Sequence, residues 1–309
     1  MKKEYRNKIR SKQLIRNAVI ELLDKKGNLS SITVSDVVEK ANINRGTFYN
    51  HYNNVMEVIE ESKNESMKMI LDERGKKYLL KEDCEFQSDL GIVTKEQIAN
   101  CEIGDELKSH LDHTFKIVKP TVNDFIDLMD RRCSILVKKD IGTVLAYTGL
   151  GSGDRVVDSG TGAGAIALNF GNVVGDTGKV YTYEIREDFA KVAQKNIETF
   201  GINNIEVKNK DIKEGIDEQN IDLVFLDLPK PFEIFEDVYE SLKVGGWLAV
   251  YAPYIDQAEI AYRVAKKLNF YNIEILETLE RGLEVRPQGV RPKTRMVGHT
   301  GYLVFARKL

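Results

Sequence analysis

Three glycines spaced two residues apart follow an apolar segment that ends in an acid. Residues 156–158 read Val-Val-Asp, and Gly160, Gly162 and Gly164 come shortly after. Glycine lets the backbone approach a ligand closely, and a helix expected to start at Ile166 adds unpaired N–H groups. The pattern predicts a nucleotide-cofactor turn between a strand and a helix. Its candidate cofactor-binding residues are Gly160, Thr161, Gly162, Ala163 and Gly164.

Two further acids end the next two predicted strands. Glu184 closes an apolar segment that starts at Val180, and its carboxylate is placed to accept hydrogen bonds from both ribose hydroxyls. Asp211 follows the next strand, where it could accept the adenine amino hydrogen or simply cap a helix. NAD, FAD and S-adenosylmethionine all contain adenosine. The G-x-G-x-G spacing favours S-adenosylmethionine, because dinucleotides need room for a pyrophosphate and commonly use G-x-G-x-x-G.

A fourth acid, Asp227, ends the fourth predicted strand. Open α/β sheets bind ligands at the carboxyl edge of their strands, so Asp227 should lie beside the cofactor turn and close to the transferred group. We therefore take Asp227 as both a catalytic and a cofactor-binding candidate. The alternative is a helix cap before Pro229.

Regular alternation of strands and helices predicts a parallel, doubly wound α/β sheet in the C-terminal part of the chain. The predicted strands cover residues 155–158, 180–184, 205–211, 223–229, 247–253, 274–279 and 302–307. A long Gly/Pro/Arg-rich loop separates the last two, and loops of that length are usually functional. Short strands before this region predict a small β domain. We expect domains at residues 1–66, 67–120 and 121–309.

Composition narrows the class of protein. The 309 residues are 42% hydrophobic, which suffices for the cores of two or three domains. No run of 18 apolar residues and no apolar signal segment occur, so we expect a cytoplasmic protein. Cys84, Cys101 and Cys133 follow no metal-ligand spacing and are interpreted as reduced thiols, and no metal site is predicted.

The N-terminal part differs in charge and pattern. Residues 1–65 carry 12 basic against 9 acidic side chains, whereas the rest carries 33 against 39. Apolar residues at helical spacing between Leu14 and Leu23 predict a first helix, and Thr33 with Asp36 predicts a capped second one. A third short helix follows residues 42–44.

Residues 32–52 of this all-α module closely resemble the helix-turn-helix head of the TetR family of transcription regulators. The resemblance implies that the third helix enters a DNA major groove. The alternative is a small helical bundle that docks to protein or RNA. TetR's large helical domain does not follow, and Met67 or Met69 could start a shorter, head-free product. The DNA-binding candidates are Arg45, Thr47, Tyr49 and Asn50.

Residues from about 69 to 309 resemble the tRNA (adenine-N1)-methyltransferases of the TrmI type. The motifs that carry the resemblance are residues 147–150, 158–165, 181–184, 186–190, 226–229, 291–292 and 296–303. The resemblance implies a small β domain followed by a seven-stranded class I (Rossmann-like) methyltransferase sheet, and a homotetramer. It also implies S-adenosylmethionine as donor, tRNA as substrate and 1-methyladenosine at position 57 or 58 of the T loop as product.

The same resemblance gives Asp227 the catalytic role. Adenine N1 is a poor nucleophile, because its lone pair is drawn into the amidine system that includes the 6-amino group. A carboxylate that accepts from this amino group raises electron density at N1 and stabilises the growing positive charge. The target base must also leave its stack, and basic side chains must hold the RNA. The tRNA-binding candidates are Arg131, Arg132, Lys139, Arg286, Arg291, Arg295 and His299.

The chain departs from the TrmI pattern in one segment. A Thr-Gln-Ile-x-Tyr-Pro-Lys-Asp-like stretch of that family is replaced by residues 133–140, which read Cys-Ser-Ile-Leu-Val-Lys-Lys-Asp. Lys230 and Phe232 also replace an acid and a Trp that are common there. These changes touch base acceptance more than donor binding. Two alternatives stay open. One is methylation of a protein or small molecule by a similar fold. The other is a DNA-binding regulator that uses the fold to sense S-adenosylmethionine, but a pure sensor has no need of Asp227.

Overall fold

Helical spacing of apolar residues near the N-terminus produces a small group of helices in the computed structural model. The structure describes residues 2–26, 28, 31–58, 67–81, 84–131 and 133–309, which fall into two compact units, Met1–Leu128 and Met129–Leu309. The first helices are α1 (Lys2–Lys26), α2 (Val34–Lys40) and α3 (Arg45–Tyr49). Their shared core includes the fully buried residues Ile15, Val19, Val37, Phe48 and Tyr52.

Side-chain caps fix the starts of α2 and α3. The Thr33 hydroxyl accepts from the Asp36 N–H at 3.2 Å, while the Asp36 carboxylate accepts from the Thr33 N–H at 2.7 Å. Hydrogen bonds from Thr33 and Lys26 lower the pKa of Asp36 to about 2. Asn44 accepts from the Thr47 N–H at 2.7 Å and begins α3 in the same way. Each cap contributes about 1 kcal/mol, so this short turn between α2 and α3 is well defined.

The rest of the first unit is mainly β structure. Strands β1, β2, β5 and β6 form an antiparallel sheet in the order β2-β1-β6-β5, and β3 pairs with β4 as a hairpin. Ile70, Phe115 and Ile117 are fully buried in its core. The elements are β1 (Met69–Asp72), β2 (Lys77–Leu79), β3 (Phe86–Ser88), β4 (Gly91–Val93), α4 (Lys95–Asn100), β5 (Glu106–Lys108), β6 (Thr114–Val118) and α5 (Val122–Leu128).

The second unit alternates strands with helices, as the sequence pattern predicts. Its helices are α6 (Lys138–Thr148), α7 (Ala165–Val174), α8 (Glu187–Phe200), α9 (Phe235–Ser241) and α10 (Ile255–Lys267). Its strands are β7 (Arg155–Ser159), β8 (Lys179–Tyr183), β9 (Ile205–Lys208), β10 (Ile221–Leu226), β11 (Leu242–Ala252), β12 (Tyr271–Leu276), β13 (Leu283–Arg286), β14 (Gly289–Pro292) and β15 (Tyr302–Arg307).

Seven of these strands form one sheet in the order β12-β15-β11-β10-β7-β8-β9. β7 to β11 run parallel, while β15 pairs antiparallel with both β11 and β12. From β7 the chain moves outward to β9 and then returns to β10 on the other side of β7. The strand order therefore reverses between β7 and β10, and open α/β sheets bind ligands at such a switch point.

The remaining two strands of the second unit, β13 and β14, form a separate hairpin in which Val285 faces Val290. Both valines are exposed. Among the described residues no helix is long and apolar enough to cross a membrane.

Two glycines of the second unit give a matched test of its packing. A Cβ on Gly178 would lie 2.6 Å from the Asp154 carbonyl oxygen and 2.5 Å from the Val174 Cβ, whereas a Cβ on Gly142 in α6 meets no atom within 4 Å. We expect Gly178→Ala to lower the free energy of unfolding by about 1–3 kcal/mol, and Gly142→Ala to raise it by about 0.5–1 kcal/mol. Urea unfolding followed by the fluorescence of Trp247, the only tryptophan, measures both. Equal midpoints for the two variants would contradict this packing.

Candidate active site

The switch point brings the ends of β7 and β10 together. In the register of these two strands Ser159 lies opposite Leu226. The Asp227 N–H donates to the Ser159 carbonyl at 2.5 Å, and the Gly160 N–H donates back to the Asp227 carbonyl at 3.4 Å. The start of the glycine turn is thus hydrogen-bonded to the backbone of the candidate catalytic residue.

The glycine turn itself is shaped by backbone hydrogen bonds. Thr161 N–H donates to the Tyr183 carbonyl at 3.1 Å, and Gly164 N–H donates to the Thr161 carbonyl at 2.9 Å. Gly164 has φ +87° and begins α7 without a capping side chain. Gly162 has φ +56°, and a Cβ there would lie 3.0 Å from the Cys133 Sγ. Both positions therefore need glycine, and they leave the start of α7 open to a ligand.

Glu184 lies at the end of β8, is buried, and supports the turn directly. Its Oε2 accepts from the Gly162 N–H at 3.0 Å, and its Oε1 accepts from the N–H and the Nε of Arg186, each at 3.1 Å. An ionised carboxylate has about four acceptor positions, so Glu184 retains capacity for the ribose hydroxyls that the sequence predicts as its partners. Its role as a ligand remains a prediction.

Asp158 is a fully buried acid below the turn. Its Oδ2 accepts from the Thr182 hydroxyl at 2.6 Å, and that hydroxyl also lies 2.6 Å from the hydroxyl of Thr161. Its Oδ1 is buried and has no hydrogen-bond partner among the described residues. Burial raises the pKa of Asp158 to about 7, the Thr182 hydrogen bond opposes the rise, and the nearby charges of Asp227 and Glu184 add to it.

Asp227 combines contact with solvent and a raised pKa. The residue is exposed, because it follows β10 at the edge of the sheet. The protein atoms around it nevertheless remove much of the hydration shell of its carboxylate, and this desolvation raises its pKa to about 6. A carboxylate that is reachable by a substrate and only partly hydrated is suited to accept a hydrogen bond in a reaction.

These groups fit an S-adenosylmethionine site. Gly160 leaves open the space between Asp227 and Glu184, since a Cβ there would meet the Asp227 carbonyl and a Glu184 carboxylate oxygen at 3.8 and 3.9 Å. The unpartnered oxygen of Asp158 and the uncapped start of α7 provide an acceptor and backbone donors. These carboxylate acceptors and backbone N–H groups therefore suit a ligand that carries a ribose, a positive charge and a carboxylate.

In the structure Asp211 caps a helix, which is one of the two roles that the sequence leaves open for it. It begins the 3-10 helix Ile212–Glu214, and its Oδ1 accepts from the Lys213 N–H at 3.0 Å. The residue is half-buried. An adenine contact by its other oxygen stays a prediction.

Two of the predicted RNA-binding residues have hydrogen-bond partners within the protein. The Lys139 side chain is 8% exposed, and its Nζ donates to Asp140 at 2.6 Å and to the Thr300 hydroxyl at 2.7 Å, so it offers no free ammonium group to RNA. His299 is exposed, and its ring nitrogens contact the Pro253 carbonyl at 2.9 Å and Glu277 at 2.7 Å, so its contact with RNA stays a prediction. The contacts of Lys139 with Thr300 and of His299 with Pro253 join segments 161 and 46 residues apart, which no local sequence pattern marks.

The other described residues among the predicted RNA-binding candidates lie at the surface of the second unit. Arg131 and Arg295 are exposed, and Arg132 lies outside the described residues. Arg286 and Arg291 both pair with Glu284 on the hairpin, at 2.7 and 3.3 Å. Such exposed pairs contribute less than about 1 kcal/mol each, so phosphates could replace the carboxylate. Contact of these arginines with RNA stays a prediction.

The predicted DNA-binding residues lie in the other unit. Arg45 is exposed and donates to the Ser35 hydroxyl at 2.6 Å, and Thr47 donates to Asn44 at 3.0 Å. Tyr49 and Asn50 are exposed at the end of α3.

Sequence reasoning missed several residues that shape the site. The Asn196 amide donates to the Ala163 carbonyl at 2.9 Å and to the Asp130 carbonyl at 2.8 Å, and so holds the glycine turn from α8. Its signal was a polar residue on the apolar face that Ala193, Ile197 and Phe200 define. Tyr251 on β11 donates to the Thr300 carbonyl. Burial and the charges of Asp140 and Asp227 raise the pKa of Tyr251, and no local pattern marks this residue.

Several known proteins resemble this chain in sequence. The family described as "tRNA methyltransferase complex GCD14 subunit" matches residues 114–291. The chain is 42% identical over 268 residues to tRNA (adenine(57)-N(1)/adenine(58)-N(1))-methyltransferase TrmI of Methanocaldococcus jannaschii, with 78% of this chain and 94% of that protein covered. It is 30% identical over 244 residues to tRNA (adenine(58)-N(1))-methyltransferase TrmI of Thermus thermophilus, with 78% and 96% covered.

Two solved structures resemble this chain in fold and sequence. The tRNA (m1A58) methyltransferase TrmI of Aquifex aeolicus superposes with a TM-score of 0.66 at 28% identity, covering 79% of this chain and 96% of that one. A SAM-dependent O-methyltransferase of Thermotoga maritima gives a TM-score of 0.74 at 31% identity, covering 84% and 98%.

Fold and site together define a class I methyltransferase that uses S-adenosylmethionine. This confirms the predicted class of enzyme and its cofactor. The chain belongs to the family of tRNA (adenine-N1)-methyltransferases that the GCD14 and TrmI matches describe.

Proposed function

We propose that this chain methylates N1 of an adenine at position 57 or 58 in the T loop of tRNA, and that it does so in the cytoplasm. The observation that carries the proposal is Asp227, an exposed residue that lies at the switch point beside the glycine turn and whose carboxylate has a pKa raised to about 6 by desolvation. The relatives named above act on adenine N1 of tRNA, which supports the same substrate here.

Asp227 activates the base through its amino group. Its carboxylate accepts a hydrogen bond from the 6-amino group of the adenine, which raises electron density at N1 and stabilises the positive charge that methylation leaves on the ring. Partial desolvation strengthens this interaction, because the carboxylate competes with fewer water molecules. Full proton transfer to Asp227 is not required.

The glycine turn holds the methyl donor. S-adenosylmethionine supplies an electrophilic methyl group on a sulfonium centre. Gly160, Thr161, Gly162, Ala163 and Gly164 would hold its methionine and ribose portions. Glu184 would bind the ribose hydroxyls and Asp211 the adenine amino group. Much of the rate should come from this positioning of the two reactants.

Replacement of Asp227 tests the proposed chemistry. We expect Asp227→Ala to lower kcat for methylation of unmodified tRNA by about 10²–10⁴-fold, because the acceptor for the 6-amino group is lost. Binding of S-adenosylhomocysteine should change less than kcat, because the glycine turn and Glu184 remain to hold it. Nucleoside analysis by mass spectrometry measures 1-methyladenosine. The proposal fails if the wild-type chain makes no 1-methyladenosine, or if Asp227→Ala makes it at the wild-type rate.

Asp227 also sets the expected pH dependence. Its raised pKa means that the carboxylate protonates as the pH falls through about 6, so kcat should fall on the acidic side with an apparent pKa near 6. An ordinary aspartate would give this limb near 4.

We further propose that four copies assemble. The hairpin of β13 and β14 exposes Val285 by 80% and Val290 by 61%, and Leu283 on the same hairpin by 62%. Apolar residues on an exposed two-stranded hairpin favour an interface with another copy, because an isolated hairpin of this kind is marginally stable in water. In the homotetramer implied by the TrmI resemblance, another copy of the chain would cover this hairpin.

Charge on the hairpin tests the assembly. We expect the double variant Val285→Glu and Val290→Glu to reduce the solution mass from about four times the 35.1 kDa chain to a dimer or monomer, because it places carboxylates in the apolar contact. Val244→Glu, at an equally exposed valine outside the hairpin, serves as the control. Light scattering on a sizing column gives the masses. An unchanged mass for the double variant would place the interface elsewhere.

For the N-terminal helices we propose binding to duplex DNA. α2 and α3 are joined by a short capped turn, Phe48 is buried beneath α3, and Arg45 and Tyr49 are exposed four residues apart on that helix. This arrangement suits entry of α3 into a major groove, with Arg45, Thr47, Tyr49 and Asn50 toward the DNA. The family match at residues 114–291 does not include these helices.

Paired substitutions in α3 test the DNA proposal on the full chain. After selection from random-sequence duplexes, we expect Arg45→Ala with Tyr49→Ala to weaken binding of the selected DNA at least 10-fold in a mobility-shift assay. Arg263→Ala, an exposed arginine on α10, should bind as the wild type does. Formation of 1-methyladenosine should be unchanged in both variants. The DNA proposal is wrong if no sequence is enriched and the α3 variant binds as tightly as the wild type.

A further inference from the structure

A flipped purine needs an aromatic surface as well as a hydrogen-bond acceptor. Extrusion costs a few kcal/mol of stacking, and RNA-binding proteins commonly restore it by stacking the base on an aromatic side chain. Among the described residues of the second unit, the exposed aromatic side chains are Tyr147, Tyr254 and Tyr271. Tyr147 already stacks on Phe305 with ring centroids 5.0 Å apart. Tyr271 pairs with Arg307 at the start of β12, at the opposite edge of the sheet from Asp227.

Tyr254 differs from both because it lies at the carboxyl edge. β11 is the neighbour of β10, with Val250 opposite Leu226, so the segments that leave these two strands lie side by side. Asp227 is the first residue after β10, and Tyr254 follows the end of β11 by two residues. The Gln257 amide donates to the Pro229 carbonyl at 3.0 Å, which joins the two segments.

We propose that Tyr254 is the stacking surface for the target adenine and so a specificity-determining residue of the reaction. The proposal rests on the proposed function, since it assumes that an adenine is the group presented to Asp227. Tyr254 is 68% exposed, and its hydroxyl has no hydrogen-bond partner in the described part of the chain. The ring is therefore available to a base.

The backbone that carries this ring is fixed on both sides. On one side the His299 Nε2 contacts the Pro253 carbonyl at 2.9 Å, and its Nδ1 contacts the Glu277 carboxylate at 2.7 Å. Both partners can only accept hydrogen bonds, so these contacts stabilise the protonated form of the His299 ring. The same two bonds raise its pKa. His299 thereby ties the segment before α10 to the end of β12.

On the other side α10 begins at the carbonyl of Tyr254. The N–H groups of Gln257 and Ala258 donate to this carbonyl at 3.1 and 3.3 Å. A side chain on a fixed backbone loses little further freedom when a ligand arrives, so more of the stacking energy remains for binding.

Stacking on tyrosine also favours the product side of the reaction. Methylation at N1 makes the adenine ring cationic, and an aromatic face attracts a cation more strongly than a neutral ring. Tyr254 should then lower the barrier as well as the dissociation constant, because its interaction strengthens as the charge develops.

Substitution of Tyr254 tests the inference with full-length chain and unmodified tRNA. We expect Tyr254→Ala to lower kcat/KM by about 10–100-fold, with a loss in kcat as well as a rise in KM, because one base stack is lost. Tyr254→Phe should keep kcat/KM within about 3-fold, since the face of the ring is retained. Tyr271→Ala, at an exposed tyrosine on the opposite sheet edge, is the matched control and should match the wild type.

A second measurement reads stacking directly. In a T-loop RNA with 2-aminopurine at the target position, the flipped base should be quenched by wild-type protein and by Tyr271→Ala, and should fluoresce more strongly with Tyr254→Ala. A Tyr254→Ala variant with wild-type kcat/KM and unchanged quenching would overturn the stacking role alone. Absence of 1-methyladenosine from the wild-type reaction would overturn both the proposed function and this inference.

Discussion

The site depends on the hydrogen bonds that couple the ends of β7 and β10. The Asp227 N–H donates to the Ser159 carbonyl, and the Gly160 N–H donates to the Asp227 carbonyl, so the glycine turn and the candidate catalytic acid share one backbone contact. This contact follows from the parallel pairing of two central strands whose side chains, such as Val157 and Val224, are fully buried. Any displacement of one strand end would therefore move both the glycine turn and Asp227.

Three acids lie close to this contact, and their environments differ. Glu184 is hydrogen-bonded to the Gly162 N–H and to Arg186, so its charge is compensated within the fold. Asp158 is buried with one unpartnered oxygen, and burial together with the charges of Asp227 and Glu184 raises its pKa to about 7. Asp227 remains reachable, and desolvation raises its pKa to about 6. A positively charged donor stabilises ionised carboxylates, so a ligand of that charge suits this arrangement.

The sequence was most informative for features that are formed by residues close together in the chain. The glycine turn, the acids that end β8 and β10, and the seven strands could be predicted because strand periodicity and turn glycines are local signals. Contacts between distant segments could not. Lys139 has its partner Thr300 161 residues away, and His299 has its partner Pro253 46 residues away. Asp211 differs from these two, because its cap on the 3-10 helix is local and is one of the two roles that the sequence leaves open.

The central claim is that the Asp227 carboxylate holds the amino group of an extruded adenine at the switch point. A crystal structure of the chain with S-adenosylhomocysteine and an unmodified T-loop RNA tests this most directly. The account predicts a distance of about 2.7–3.2 Å between a carboxylate oxygen of Asp227 and the exocyclic nitrogen of the target adenine. A complex in which that adenine is bound next to the donor but the Asp227 carboxylate is turned away from its amino group would contradict the account.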